Sequence, residues 1–344
     1  MAKKVIVIVQ PGQAKNMARF DFLKELDGFE VTYIDECEIK GDPSMLRNHQ
    51  MERLGPDSFE YEPEFIKALS ESNIVVTAMT PIPSAIYESG NVEAVCILRS
   101  GVENVDLAKA SAAGVKIINA PGRLAVPVAE YTVGLIIAEI KNIARGYAEI
   151  EAGGWGNKFP NKAYSTSLKG KNIGIVGLGA VGSRVARVMT ALDANVLVYD
   201  PYQKEGAVEA MGYRNLSLED LCRESDVITV HFRLTPQTEG MINKTHFDLM
   251  KPTAFIINTA RAGLIDEAAL MDALQNKKIG GAGLDVFHEE PLPANSPLIG
   301  MENVTITPHL AGSCSNLWDL TIDIMENTMR SYAASGEWTC VVNR

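Results

Sequence analysis

The sequence predicts an α/β chain of two parallel-sheet domains, each doubly wound, with one domain inserted in the other. Three observations predict it. Short apolar, β-branched runs alternate with helix-like segments along most of the 344 residues, the pattern of a parallel sheet covered by helices on both faces. Strand, glycine turn, helix and strand follow one another over residues 171–200, KNIGIVGLGAVGSRVARVMTALDANVLVYD. The length exceeds one average domain and suits two.

The first domain is read over residues 1–119 and is completed by 311–344. Its strand-like runs are KVIVIV, FEVTYI, NIVVTA, EAVCIL and VKII, with helical segments from about Asn16 and over Pro63–Ser70. Gln10 and Pro11 end the first apolar run too early for a signal-peptide core. The second domain is read over residues 120–310. Pro127 opens a long apolar helix for which Gly146 supplies the stop. After the glycine turn come a capping box at Ser217 and Asp220, the strand VITVH, a helix from Thr245, the strand AFIIN, the helix EAALMDALQNKK, and the strands AGLDV and VTITP. Counted from Ile173 these make about six strands, a complete doubly wound nucleotide domain. The segment NLWDLTIDIMENTMRSYAA is helix-like and is expected to return to the first domain.

Composition narrows the partners. Hydrophobic residues make up 46% and charged residues 22%, ordinary for a globular chain. The net charge of -11 argues against nucleic acid and against an anionic membrane surface, both of which demand a basic face. No apolar run is long enough to span a membrane. The five cysteines, Cys37, Cys96, Cys222, Cys314 and Cys340, form no C-x-x-C pair, and an odd number suits reduced thiols in a cytoplasmic protein. No metal site is expected.

The glycines have separate tasks: Gly177 permits a tight turn, Gly179 lets a pyrophosphate approach the backbone, and Gly182 lets the helix press on the strand. Helix-start N–H groups would then face the phosphate charge. Asp200 follows Gly182 by 18 residues, close to the spacing of a carboxylate on an adenosine ribose. A carboxylate would repel the 2′-phosphate of NADP, so NAD is the expected cofactor.

Ligands on open parallel sheets bind beyond the carboxyl ends of the strands. Arg261, Glu290 and His309 all follow strand-like runs at such ends. Singly, each has a plainer reading, as a surface cation, a loop acid and a core histidine. Together they are complementary: an arginine fork matches a carboxylate, a histidine exchanges a hydroxyl proton near neutral pH, and a glutamate on its other ring nitrogen orients it.

The motifs LKGKNIGIVGLGAVG, VYD, INTARAGLIDEAAL, GLDVFHEEPL and TPHLAGS, with RSGVENVD and NAPGRLAVPVAEYTVG upstream, resemble those of the D-isomer-specific 2-hydroxyacid dehydrogenases, which include glycerate, lactate and phosphoglycerate dehydrogenases. The resemblance implies a Rossmann domain inserted in a flavodoxin-like substrate domain, a cleft between them, and dimers built around the helix after Pro127. It implies that Arg261 binds the substrate carboxylate, that His309 is the general acid/base, and that Glu290, rather than Glu289, pairs with it. Asp285 resembles the aspartate that contacts the nicotinamide carboxamide. Ala180, Val181 and Asp200 match pyrophosphate and ribose contacts, and Phe232, Thr259, Ala260, Ala311 and Gly312 match other cofactor-lining positions. Ser100, Gly101 and Val102 fall in the loop whose N–H groups hold the substrate carboxylate.

Departures from the phosphoglycerate enzymes bear on the substrate. The RSGVENVD loop is shorter than theirs, TAMTPI stands where they carry a phosphate-binding arginine, and the sequence ends at Arg344 without their regulatory domain. Leu124 stands where many relatives carry asparagine. The expectation is an NAD(H)-dependent enzyme for a small unphosphorylated 2-oxo acid of the glyoxylate, hydroxypyruvate or sugar-acid type. Alternatives are a non-catalytic NAD-sensing scaffold, a phosphoglycerate dehydrogenase-like enzyme, and a phosphite-oxidising enzyme on the same frame.

Overall fold

The computed structural model describes residues 2–36, 51, 54–156, 158–162 and 166–343; Cys37 lies outside them. It divides into two compact units, residues 1–123 with 315–344, and residues 124–314.

The first unit holds a five-stranded sheet of β1 (Lys3–Val9), β2 (Phe29–Asp35), β3 (Ile74–Thr77), β4 (Ala94–Ile97) and β5 (Lys116–Asn119), in the order β2-β1-β3-β4-β5 with every pair parallel. This is the flavodoxin-like order, with its topological switch between β1 and β3. Side chains alternate along β1, so Val5 and Val7 face one core and Ile6 and Ile8 the other. A parallel sheet buried on both faces explains why these strands read as unbroken apolar runs. The first face is closed by the helix Leu317–Ser335, through Ile322, Met325, Met329 and Tyr332. The chain end then runs along the β5 edge, where Val342 N–H donates to Ile117 O at 2.8 Å and Asn119 N–H to Cys340 O at 3.3 Å.

The second unit holds β6 (Asn172–Val176), β7 (Asn195–Tyr199), β8 (Arg214–Asn215), β9 (Val227–Val230), β10 (Phe255–Asn258), β11 (Gly281–Leu284) and β12 (Val304–Ile306). The order β12-β11-β10-β9-β6-β7-β8 is the Rossmann order extended by one strand, again all parallel. The sheet thus has seven strands rather than about six. The extra one, β8, is two exposed polar residues, too short to show any periodicity.

Three expectations need correction. Residues 120–123 belong to the first unit and 311–314 to the second, because Ala120 N–H donates to Arg99 O at 2.9 Å and Ala311 N–H to Asp285 at 2.8 Å. The long helix runs from Ala125 to Lys141, starting before Pro127, and stops at Asn142, which takes the left-handed conformation at φ 56°. A second helix, Ile143–Glu151, then passes through Gly146, so that glycine is not the stop.

The same break carries a buried ion pair. Glu139 is fully buried, and Arg145 Nη2 reaches its carboxylate at 2.7 Å. Thr305 Oγ1 on β12 donates to the same carboxylate at 2.6 Å. Burial raises the Glu139 carboxyl above its ordinary range, against the pull of Arg145 and Thr305. Arg145→Met should therefore cost about 3–5 kcal/mol near neutral pH, since it strands a buried charge. The cost should shrink as pH falls and Glu139 takes up a proton. Thermal unfolding at pH 8 and pH 5 measures this; a loss that is the same at both values would mean that Arg145 does not offset Glu139.

Candidate active site

One register row crosses the second sheet, in which Ile306, Leu284, Asn258, Val230, Val176 and Tyr199 lie side by side. Since every strand is parallel, the loops that follow these residues emerge on one edge. Gly177, Asp200, His231, Thr259, Asp285 and Thr307 all begin there.

The glycine turn follows β6. Gly177 has φ 100°, and a Cβ on it would press on the backbone of His231 and Phe232 at 3.2 Å. A Cβ on Gly182 would overlap the carbonyl oxygen of Gly177, so only glycine lets the helix Gly182–Ala191 start this close to the strand. Nothing lies within 4 Å of the Cβ position at Gly179, which leaves the backbone there open; Ala180 and Val181 follow it directly. These are the three tasks a pyrophosphate site asks of its glycines.

Asp200 sits one residue past β7 and is 7% exposed. Leu178 N–H donates to Oδ2 at 2.8 Å and Tyr202 N–H to Oδ1 at 2.9 Å. Gln203 Nε2 donates to Oδ2 and to Leu178 O, both at 3.3 Å. No ion pair engages Asp200 among the described residues. The carboxylate therefore ties the glycine turn to the loop after β7 and keeps acceptor capacity for a diol. Phe232, past β9, packs edge-on against Tyr199 and Tyr202, with ring centres 6.3 and 6.0 Å away. Its neighbour His231 bonds Thr229 through Nε2 at 3.0 Å, and burial pushes its imidazole down to about 3. His231 is thus neutral at physiological pH and no rival acid/base.

The loop after β10 is fixed by Asn258, whose Oδ1 accepts from Ala260 N–H at 3.0 Å and whose Nδ2 donates to Arg261 O at 2.9 Å. Arg261 is exposed, with Nη1 donating to Ala260 O at 2.8 Å. The Thr259 hydroxyl is 2.7 Å from that of Thr132 on the helix Ala125–Lys141, so it anchors the loop.

The loops after β11 and β12 are joined by Asp285, which is fully buried. Oδ1 accepts from Thr307 Oγ1 at 2.6 Å and Leu310 N–H at 2.9 Å, and Oδ2 from Ala311 N–H at 2.8 Å. These bonds bracket His309, whose φ is 55°. His309 Nδ1 donates to Glu290 Oε2 at 2.7 Å, and Glu290 Oε1 accepts from Phe287 N–H at 2.9 Å. The imidazole is about half exposed, and Nε2 has no hydrogen-bond partner among the described residues. With Nδ1–H committed, Nε2 is the basic nitrogen. Ala311 is buried, and Gly312 lies against Leu124, whose Cδ1 is 3.3 Å from its Cβ position.

The structure thus brings His309 and Glu290 into contact and sets Arg261 on the same edge without a hydrogen bond to either. Ser100, Gly101 and Val102 belong to the first unit. Asn258 and Thr307 escaped the sequence reading: both are uncharged and follow the strand pattern, and only their hydrogen bonds reveal them. No group of three His, Cys, Asp or Glu side chains suited to a metal occurs among the described residues. No described helix is long and apolar enough to cross a membrane.

Residues 133–311 match the family model described as D-isomer specific 2-hydroxyacid dehydrogenase, NAD binding domain. The chain is 36% identical over 241 residues to a D-3-phosphoglycerate dehydrogenase of Archaeoglobus fulgidus, a match that covers 70% of this chain and 45% of that one. It is 32% identical over 286 residues to a hydroxypyruvate reductase of Blautia hydrogenotrophica, covering 82% and 88%. The chain therefore spans less than half the length of the first relative and most of the second. Among solved structures, the D-lactate dehydrogenase of Lactobacillus jensenii with NAD+ superposes with a TM-score of 0.74 at 25% identity, over 99% of this chain and all of that one. The second unit carries an NAD-binding domain, and the chain belongs to the D-isomer specific 2-hydroxyacid dehydrogenase family.

Proposed function

We propose that this chain interconverts a small D-2-hydroxy acid and its 2-oxo acid with NAD(H), and that the acid is unphosphorylated. The observation that carries the reading is the His309–Glu290 pair, 2.7 Å apart on the sheet edge that also bears the glycine turn, Asp200 and Arg261.

The open backbone at Gly179 and the acceptor-rich Asp200 fit NAD. Gly177, Gly179, Ala180, Val181 and Gly182 would hold the pyrophosphate and Asp200 the adenosine ribose, with Phe232, Thr259, Ala260, Ala311 and Gly312 lining the rest. A contact from Asp285 to the carboxamide belongs to the same proposal. When bound, NAD would supply the hydride acceptor for oxidation at C2 of the hydroxy acid. His309 Nε2 takes the 2-hydroxyl proton in that direction and returns it in the reverse. Glu290 accepts the Nδ1–H bond and stabilises the imidazolium that results. Arg261 and the N–H groups of Ser100, Gly101 and Val102 receive the carboxylate. The absence of Lys and Arg from residues 78–82, directly after β3, favours an unphosphorylated acid. Burial raises the Cys96 and Cys222 thiols, which suits inert, reduced cysteines in a cytoplasmic setting.

The chain is further proposed to act as a homodimer. The helix Ile143–Glu151 buries no residue and exposes Ile143, Tyr147 and Ile150 at helical spacing, with Trp155 just beyond. The helix Ala125–Lys141, by contrast, buries eight residues, so the apolar face on offer is that of its successor.

His309→Ala should lower kcat by about 10²–10⁴-fold while leaving NADH affinity nearly unchanged; stopped-flow and fluorescence titration separate the two, and undiminished turnover removes His309 from the mechanism. Asp200→Ala should weaken NADH about tenfold or more and narrow the gap to NADPH; an unchanged cofactor preference would take Asp200 off the ribose. Tyr147→Arg with Ile150→Arg should shift the mass by light scattering from dimer to monomer, whereas a wild-type monomer, or an undisturbed dimer, would contradict the assigned face.

A further inference from the structure

The first unit contains a cation without a full set of partners. Arg99 follows β4 at the carboxyl edge of the five-stranded sheet, and its side chain is 17% exposed. Its Nη1 is buried and has no hydrogen-bond partner among the described residues. Buried guanidinium nitrogens are almost always bonded, so an orphan calls for a missing anion or water. The nearest acid is Glu103, whose Oε2 is 3.5 Å from Arg99 Nη2, beyond hydrogen-bonding range, and that oxygen is itself buried without a hydrogen bond.

Glu103 reaches this position only because residue 101 is glycine: a Cβ there would overlap the Glu103 carboxyl group. The loop backbone is fixed independently. Ala120 N–H donates to Arg99 O at 2.9 Å, Asn119 Nδ2 to Ser100 O at 2.7 Å, and Ser100 Oγ to Ala120 O at 3.1 Å. The carbonyls of Arg99 and Ser100 are thus bonded, while Arg99 Nη1 and Glu103 Oε2 are not.

We infer that Arg99 is a receptor for the carboxylate of the acid substrate, and that Glu103 is its internal occupant, folded over Gly101 until an acid displaces it. The inference rests on the assignment of Ser100, Gly101 and Val102 as substrate ligands. A free carboxylate can meet the guanidinium fork with two parallel N–H···O bonds, which Glu103, held by its own backbone, does not make. Glu103 then competes with substrate, and the loop favours acids that align on the fork.

The test uses the full chain with NADH, glyoxylate and hydroxypyruvate as substrates, and oxamate, a non-reacting 2-oxo acid analogue, as probe. Arg99→Met should raise KM and the oxamate inhibition constant about 10- to 100-fold with NADH affinity unchanged, and Arg99→Lys should recover part of the loss. Glu103→Ala should tighten oxamate several-fold, an effect that loss of a merely structural ion pair would not produce. Wild-type oxamate binding in Arg99→Met overturns the receptor, and so does Glu103→Ala that only lowers stability or leaves oxamate unchanged. If the wild-type protein turns over no 2-oxo acid and binds no oxamate, the proposed function fails and takes the receptor with it; intact turnover with unaltered variants overturns the receptor alone.

Discussion

The candidate site depends on one buried carboxylate. Asp285 takes three hydrogen bonds from Thr307, Leu310 and Ala311, and so clamps the chain on both sides of His309. His309 needs the clamp, because its left-handed backbone costs a non-glycine residue roughly 1–2 kcal/mol. Bonds to an ionised acceptor contribute about 1.5–3 kcal/mol each, enough to hold that conformation. The imidazole is thereby delivered to Glu290 with Nδ1 committed and Nε2 available.

A second carboxylate does the same work at the other end of the edge. Asp200 receives the amides of Leu178 and Tyr202, which fixes the glycine turn against the loop after β7. Both aspartates follow strands of the same sheet, and each accepts from N–H or O–H donors of a neighbouring loop, with no ion pair to either among the described residues. On Asp200 an arginine or lysine partner would take up the acceptor sites left for a ligand. The helix start at Gly182 and the open backbone at Gly179 supply attraction for phosphate, while Asp200 supplies the acceptor for sugar hydroxyls.

The sequence made most of this legible where the signal was periodic or charged. Strands buried on both faces announce themselves as apolar runs, and the spacing of Gly177, Gly179, Gly182 and Asp200 is a backbone requirement written in residue types. His309, Glu290 and Arg261 stood out as titratable or charged groups at strand ends. The rest was hidden for physical reasons. β8 is too short and polar to have a period, and Asn142 ends a helix through a left-handed conformation that glycine would have advertised and asparagine does not. Thr307 acts through a hydrogen bond to a loop 22 residues away, and Asn258 through side-chain bonds to the next residues of its own loop, which residue type alone does not announce. The close approach of Glu103 to Gly101 is likewise a fact of three dimensions.

Oxidation of NADH by a series of 2-oxo acids, with chiral analysis of the product, tests the account most directly. The series runs from glyoxylate, pyruvate and hydroxypyruvate through longer sugar-derived acids to phosphohydroxypyruvate. The account predicts efficient turnover of an unphosphorylated acid and, wherever C2 becomes a stereocentre, a product of D configuration only. Tight NADH binding with no turnover of any acid, or turnover confined to the phosphorylated one, would contradict it.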